Sequence, residues 1–214
     1  MTGDLISFTL LAFSSVLIVV NPLAATLIFF SLTGDIDSSR RLIIARDACR
    51  YALIILLVFA ILGGIILQLF GITVDAFRIG GGILLFGIGM EMVYAKTSRT
   101  KLTATEKYES MDAEDITVTP LAIPMIAGPG AITTVIVLMN ESVGIIVQMV
   151  VIISSILLTM LFTYLMMVRS EAIVRRIGQR EFRVINRLMG MLLIAIAVQF
   201  VINGLKMAFP VLGG

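Results

Sequence analysis

The sequence predicts an all-α polytopic membrane protein, with six transmembrane helices in two inverted three-helix repeats and with helices one and four discontinuous. Three observations predict it. Of 214 residues, 59% are apolar and 14% charged, and the mean hydropathy is +1.08, far outside the range of a soluble domain. The apolar residues fall into runs of membrane-spanning length, and the second half of the chain repeats motifs of the first.

The spans follow in order. Residues 5–34 carry no charge, and a bilayer crossing takes about 20 apolar residues. Asp4 precedes this run without any Lys or Arg, so it lacks the basic flank of a signal peptide and reads as a retained helix. Helix two occupies 51–74, with Asp47 at its start beside Arg46 and one turn from Arg50. An interfacial ion pair is the plain reading of Asp47, and a proton-carrying group is the functional one. Helix three occupies 74–95, with Arg78 and Glu91 close enough to its ends to snorkel to the headgroups. Glu91 has Lys96 near it in sequence and is the other acidic candidate for proton coupling. Gly80, Gly81, Gly82, Gly87 and Gly89 in this helix, and Ala60 and Gly64 in helix two, suit close helix packing.

Residues 96–115 mix Thr, Ser, Lys and Glu and form a solvated linker between a first repeat, 1–95, and a second, 116–214. Helix four then covers 116–140, helix five 142–169 and helix six 184–208. Gln199 and Asn203 in helix six need polar partners within the bundle, or line a pathway.

Positive charge sorts the loops. Arg40 and Arg41 follow helix one; Lys96, Arg99, Lys101 and Lys107 follow helix three; Arg169, Arg175, Arg176 and Arg180 follow helix five. These loops belong on the cytoplasmic side, which places both termini outside the cytoplasm of a multi-pass inner, or cytoplasmic, membrane protein. The repeat rests on two echoes. Asn21-Pro22-Leu23-Ala24-Ala25-Thr26 aligns with Gly128-Pro129-Gly130-Ala131-Ile132-Thr133, and the segment from Arg78 with the segment from Arg187, at offsets of 107 and 109 residues. Each repeat holds three spans, an odd number, so the second enters the membrane from the opposite side.

Asn21-Pro22 and Gly128-Pro129-Gly130 lie near the middle of helices one and four. Proline removes a donor and clashes with the carbonyl four residues back, so each helix kinks or unwinds there. A new helix start exposes amides and a positive dipole end, here at Ala24, Ala25 and Thr26 and at Ala131 to Thr133, which attract a carboxylate. Carbonyls freed around Val20 and Ala127 could accept from an ammonium group. Small side chains at Ala24, Ala25, Thr26, Gly128, Gly130 and Ala131 leave room for a compact zwitterion, with Asn21, Thr26, Thr133 and Thr134 adding hydrogen bonds. The plain alternative is a pair of Pro kinks held by packing.

The chain has no histidine and one cysteine, Cys49, which removes the usual metal ligands and the commonest general base. No catalytic residue, metal ligand or cofactor is nominated, and an enzyme is not expected. The Lys and Arg residues cluster at helix ends, so nucleic acid is not an expected partner. Membrane lipid is.

The segments VVNPLAATLIFFSL, FRIGGGILLFGIGMEM and TPLAIPMIAGPGAITTVIVL resemble the MarC family of integral membrane proteins, which includes the SnatA amino acid transporters. The resemblance covers essentially the whole chain and is most specific from Pro120 to Ala131. It implies six helices and secondary transport of small neutral amino acids such as glycine, alanine and threonine. It also carries Asn21-Pro22 and Gly128-Pro129-Gly130 over as the paired family motifs. The acidic-Pro-Leu-Gly form of the first motif is replaced by Asn21-Pro22-Leu23-Ala24, so position 21 offers no ionisable group. The expectation is an exporter that works by alternating access, coupled to protons or passive; a channel or passive pore for small solutes is the rival.

Overall fold

The protein is described by a computed structural model over residues 2–34, 36–94, 121–122 and 125–209, all but a few of them helical. In chain order the helices are α1 (Thr2–Val20), α2 (Pro22–Thr33), α3 (Ser38–Leu69), α4 (Val74–Tyr94), α5 (Pro129–Glu141), α6 (Ile146–Val168), α7 (Ser170–Arg176) and α8 (Gln179–Ala208). Five helical stretches among the described residues are long and apolar enough to cross a membrane, with α1 and α2 counted as one stretch, Leu5–Thr33. The expected fourth span differs because α5 starts at Pro129 and has 13 residues, too short for a crossing alone. The linker 96–115, with Lys96, lies outside the described residues, as does most of the run before the second break.

α3 begins at Ser38, well before the expected start at 51, and runs for 32 residues. At 1.5 Å per residue it is about 48 Å long, against a hydrocarbon core of about 30 Å. The charged stretch from Arg40 to Arg50 therefore continues the helix beyond the apolar window. Asp37 starts it by accepting from the Ser39 amide at 3.3 Å and from the Ser39 hydroxyl. Those two hydrogen bonds hold the Asp37 carboxyl below its ordinary range, the hydroxyl contributing most. Arg41, one turn on, donates to the carbonyls of Thr33 and Gly34 at 2.7 and 2.6 Å. It thereby satisfies the open C-terminal end of α2. The same guanidinium lies 3.6 Å from Glu171 on α7, tying the two helix ends together. Asp47 takes Arg46 at 2.9 Å as its partner, where the sequence had also offered Arg50.

The packing differs from a soluble bundle chiefly in its outer face. Inside, small and polar residues, Ala45, Ala48, Ala52 and Ala60 on α3 and Ser155, Thr159 and Thr163 on α6, are buried beside apolar ones such as Leu56, Ile152 and Ile156. Large apolar side chains such as Ile61, Ile65, Leu158 and Leu161 face outward. Lipid tails give helices no hydrophobic reason to associate, so close backbone approach and van der Waals contact must hold them together.

That approach is closest between α4 and α8. A methyl group added at Gly82 would stand 2.8 Å from the Ala197 carbonyl oxygen, one at Gly89 3.0 Å from the Gly190 carbonyl oxygen, and one at Gly204 3.0 Å from the Asp75 carbonyl oxygen. Gly81 faces Thr133 on α5, whereas Gly80 and Gly87 face open space. The glycine run thus serves two neighbours at once, and two of its five members serve neither.

These contacts give opposite expectations for one substitution at two sites. Gly80→Ala should leave stability unchanged or raise it by up to about 1 kcal/mol through helix propensity. Gly82→Ala should cost about 1–3 kcal/mol, because a backbone carbonyl cannot move aside as a side chain can. Denaturation of the two variants in matched detergent compares them directly.

Candidate functional site

The two helix interruptions form by different local means. Asn21 adopts the left-handed conformation, φ 51° and ψ 69°, and is the single non-glycine residue with positive φ among those described. Asparagine tolerates this region better than most residues, and the following proline disfavours the right-handed helical alternative. Pro22 then takes the first helical position, where its missing amide costs nothing. The Asn21 side chain caps the new helix, its Oδ1 accepting from the Ala24 amide at 3.2 Å, while its carbonyl accepts from Ala25 at 3.1 Å. Its amide nitrogen lies 3.7 Å from the Met92 sulfur on α4.

At the second break Gly128 is extended, φ −74° and ψ 169°, and no side chain caps α5. On the approach, Ala127 donates to the carbonyl five residues back, Ala122, at 2.9 Å, a widened turn typical of helix irregularities. Gly128 accepts from Ile132 at 3.0 Å. Among the described residues no acceptor serves the amides of Gly130 and Ala131, both buried. The two breaks therefore differ electrically. The amides of Ala24 and Ala25, expected to be free, are occupied, whereas those of Leu23 on α2 and of Gly130 and Ala131 on α5 have no acceptor among the described residues.

The second break lies against α1 just before the first. A methyl on Gly130 would meet Leu85 of α4 and stand 3.3 Å from Val19 of α1, two residues before Asn21. Pro22, Ala24, Ala25, Thr26, Ala127, Gly128, Ala131, Thr133 and Thr134 are all buried around this junction, Asn21 is half-buried and Pro129 is exposed. The threonine hydroxyls turn back to their own helices: Thr26 donates to Pro22 at 2.7 Å, Thr133 to Pro129 at 2.9 Å and Thr134 to Gly130 at 2.9 Å. Their protons are spent, so toward a solute these oxygens can act only as acceptors. Glu91 is exposed on α4, and Asp47 keeps its Arg46 partner.

Beside this junction there is open space. A cavity of about 340 Å³ is bounded by α1, α4, α5 and α8, and none of the break residues lines it. Its near wall is Ile18, three residues before Asn21, and its polar lining is Ser14, Ser15, Arg78, Glu141, Gln199 and Asn203. Arg78, placed by sequence at a snorkelling position, is instead 2% exposed and pairs with Glu141 at 2.6 Å. The reason lies in α8. It packs along α4 through the glycine contacts and leaves the Arg78 side chain facing α5 and Met207, whose sulfur lies 3.1 Å from Nη1. Gln199 donates to Asn203 at 2.7 Å, and both line the cavity. Sequence reasoning overlooked Glu141, because it stands one residue past the expected end of its helix.

Residues 6–209 match the family described as MarC family integral membrane protein. The chain is 40% identical over 201 residues to the UPF0056 membrane protein MJ1677 of Methanocaldococcus jannaschii, covering 94% of this chain and 97% of that one. It is 40% identical over 210 residues to the UPF0056 membrane protein YvbG of Bacillus subtilis, with 96% and 98% covered. It is 37% identical over 193 residues to the UPF0056 membrane protein YhcE of Escherichia coli, with 89% and 88% covered. No solved structure matches it significantly.

The geometry at Asn21 separates backbone strain from capping. Asn21→Gly should lose the cap and keep the left-handed turn, at a cost of a few tenths of a kcal/mol. Asn21→Ala should lose both, at about 2 kcal/mol, the sum of a lost cap and an unfavourable φ. Equal melting temperatures for the two variants would refute this account of the break.

Proposed function

The chain belongs to the MarC family of integral membrane proteins, and from that premise we propose that it is a secondary transporter of small neutral amino acids, glycine, alanine and threonine among them. The observation that carries the reading is a pair of helix breaks 107 residues apart, each followed by a proline at the first helical position, with Gly130 of the second set against Val19, two residues before the first. Non-helical backbone at membrane depth survives only when buried in protein or set against a wet cavity. Here the residues around both breaks are buried apart from half-buried Asn21 and exposed Pro129, and a cavity lies next to them with Ile18 as its near wall; the two segments offer the amides of Gly130 and Ala131, without an acceptor among the described residues, and the acceptor oxygens of Thr26, Thr133 and Thr134.

The arrangement of the whole chain is read accordingly. Residues 1–95 and 116–214 are two three-helix repeats of inverted topology within one membrane domain, joined by a cytoplasmic linker. Loop charge orients the molecule with both termini outside the cytoplasm, so the cavity beside Arg78 and Glu141 lies in the outer half of the bundle. Alternating access then consists of rocking one repeat against the other about the paired breaks, with export as the net direction. Substrate contact is assigned to Asn21, Pro22, Ala24, Ala25, Thr26, Ala127, Gly128, Pro129, Gly130, Ala131, Thr133 and Thr134. Asp47 and Glu91 remain the acids nominated for proton coupling, and neither lines the cavity. No catalytic or cofactor chemistry enters the scheme.

Counterflow in proteoliposomes, with labelled glycine or alanine outside and unlabelled solute inside, tests the reading without assuming a driving force. Saturable exchange is expected, and flux that never saturates would identify a pore instead. Gly130→Leu should reduce exchange at least tenfold while the protein stays folded, because its side chain must displace Leu85 and press on Val19, two residues before the first break. Undiminished exchange in that variant would remove the breaks from the transport path.

A further inference from the structure

We propose that Arg78 and Glu141 form a dissociable receptor for a small zwitterion: Arg78 takes the carboxylate, Glu141 the ammonium group, and the pair closes on itself when the cavity is empty. The inference deepens the transport reading and rests on it for the class of solute.

Four features of the site lead there. Arg78 is 2% exposed, an expensive position for a guanidinium whose long side chain could have reached the headgroups. Its donors are incompletely used. Nη2 donates to Glu141 at 2.6 Å, Nη1 faces a thioether sulfur, a weak acceptor, and buried Nε has no partner among the described residues. A solute carboxylate matches that donor set, since the guanidinium fork binds two oxygens at once. Glu141, in contrast, keeps 36% of its side chain exposed, so it can swing off Arg78 at little cost in burial.

The surrounding cavity fits a small solute. Its volume of about 340 Å³ stands at the low end of ligand sites, which run from about 300 to 1,000 Å³. With the Gln199 amide committed to Asn203, the Gln199 oxygen and the Asn203 amide nitrogen remain for a ligand. Ser14 and Ser15 lie on the broken helix α1 and Glu141 at the end of the broken helix α5, so a solute here touches both elements that carry the breaks.

Charge balance gives the selectivity. A zwitterion that splits the pair replaces one buried ion pair with two and leaves the net charge of the cavity at zero. A simple anion on Arg78 leaves Glu141 beside it without a cation and the cavity with a net negative charge, and a simple cation on Glu141 strands the buried Arg78. Neutral amino acids are therefore favoured over acetate or alkylammonium ions by the pair itself.

The test is calorimetric titration of the purified full-length protein in detergent with alanine, acetate and ethylammonium, alongside alanine counterflow of the same preparations. Wild type should bind alanine saturably and neither single-charge probe at comparable concentration. Arg78→Lys should weaken alanine at least tenfold. Glu141→Gln should weaken alanine and gain acetate, an exchange of selectivity that a merely structural salt bridge would not produce. Ala195→Phe leaves both charges in place and narrows the cavity, so it should lose alanine binding even if the charge variants do not fold. Alanine affinity unchanged in folded Ala195→Phe, or in both charge variants, would overturn the proposal, whatever the counterflow result. Acetate binding by Glu141→Gln without alanine counterflow in wild type would sustain the receptor and sink the transport reading. Counterflow with affinities insensitive to all three variants would do the reverse.

Discussion

Every backbone amide and carbonyl in a bilayer must find a partner inside the protein, because the hydrocarbon offers none. Two interrupted helices make that requirement acute, and much of the architecture answers it. At the first break the Asn21 side chain occupies the Ala24 amide and the Asn21 carbonyl occupies Ala25. At the far end of α2, Arg41 fills the carbonyls of Thr33 and Gly34. A helix of 12 residues thus has side-chain and local backbone partners at both ends, which lets it stand apart from α1.

The second break is finished differently. No side chain caps α5, and among the described residues its buried leading amides at Gly130 and Ala131 have no acceptor, with Val19 and Leu85 packed close to Gly130. This burial depends on close approach, and glycine supplies it: Gly81 lets α4 reach Thr133, while Gly82, Gly89, Gly190 and Gly204 let α8 lie against α4 backbone to backbone. With α4 packed between α5 and α8, the Arg78 side chain is buried and turns to Glu141. The buried ion pair is a downstream consequence of the same packing that seals the breaks.

Several of these features were legible in the sequence for stated physical reasons. The membrane class followed from hydropathy and run length, and the interruptions followed from Pro22 and Pro129, whose covalent geometry has a local effect wherever the residue sits. Other features were not legible. The start of α3 at Ser38 was hidden by Arg40, Arg41, Arg46, Asp47 and Arg50, because a hydropathy window marks where lipid ends, and a helix can continue past it. Gly80 and Gly82 look alike in sequence, yet one faces open space and the other a carbonyl oxygen.

By itself, then, the sequence determined an all-helical membrane chain with proline breaks in two of its apolar runs and a stretch of glycines suited to close contact, because these properties reside in single residues and their spacing. Only the tertiary structure decided that the second break lies against α1 just before the first, that Ala24 and Ala25 are satisfied while Gly130 and Ala131 have no acceptor among the described residues, and that a cavity lies beside the junction. It also decided that Arg78 is paired with Glu141, 63 positions away. The physical reason is that lipid does not order helices by hydrophobicity, so which faces meet depends on shape and polar partners that appear only when the helices are assembled.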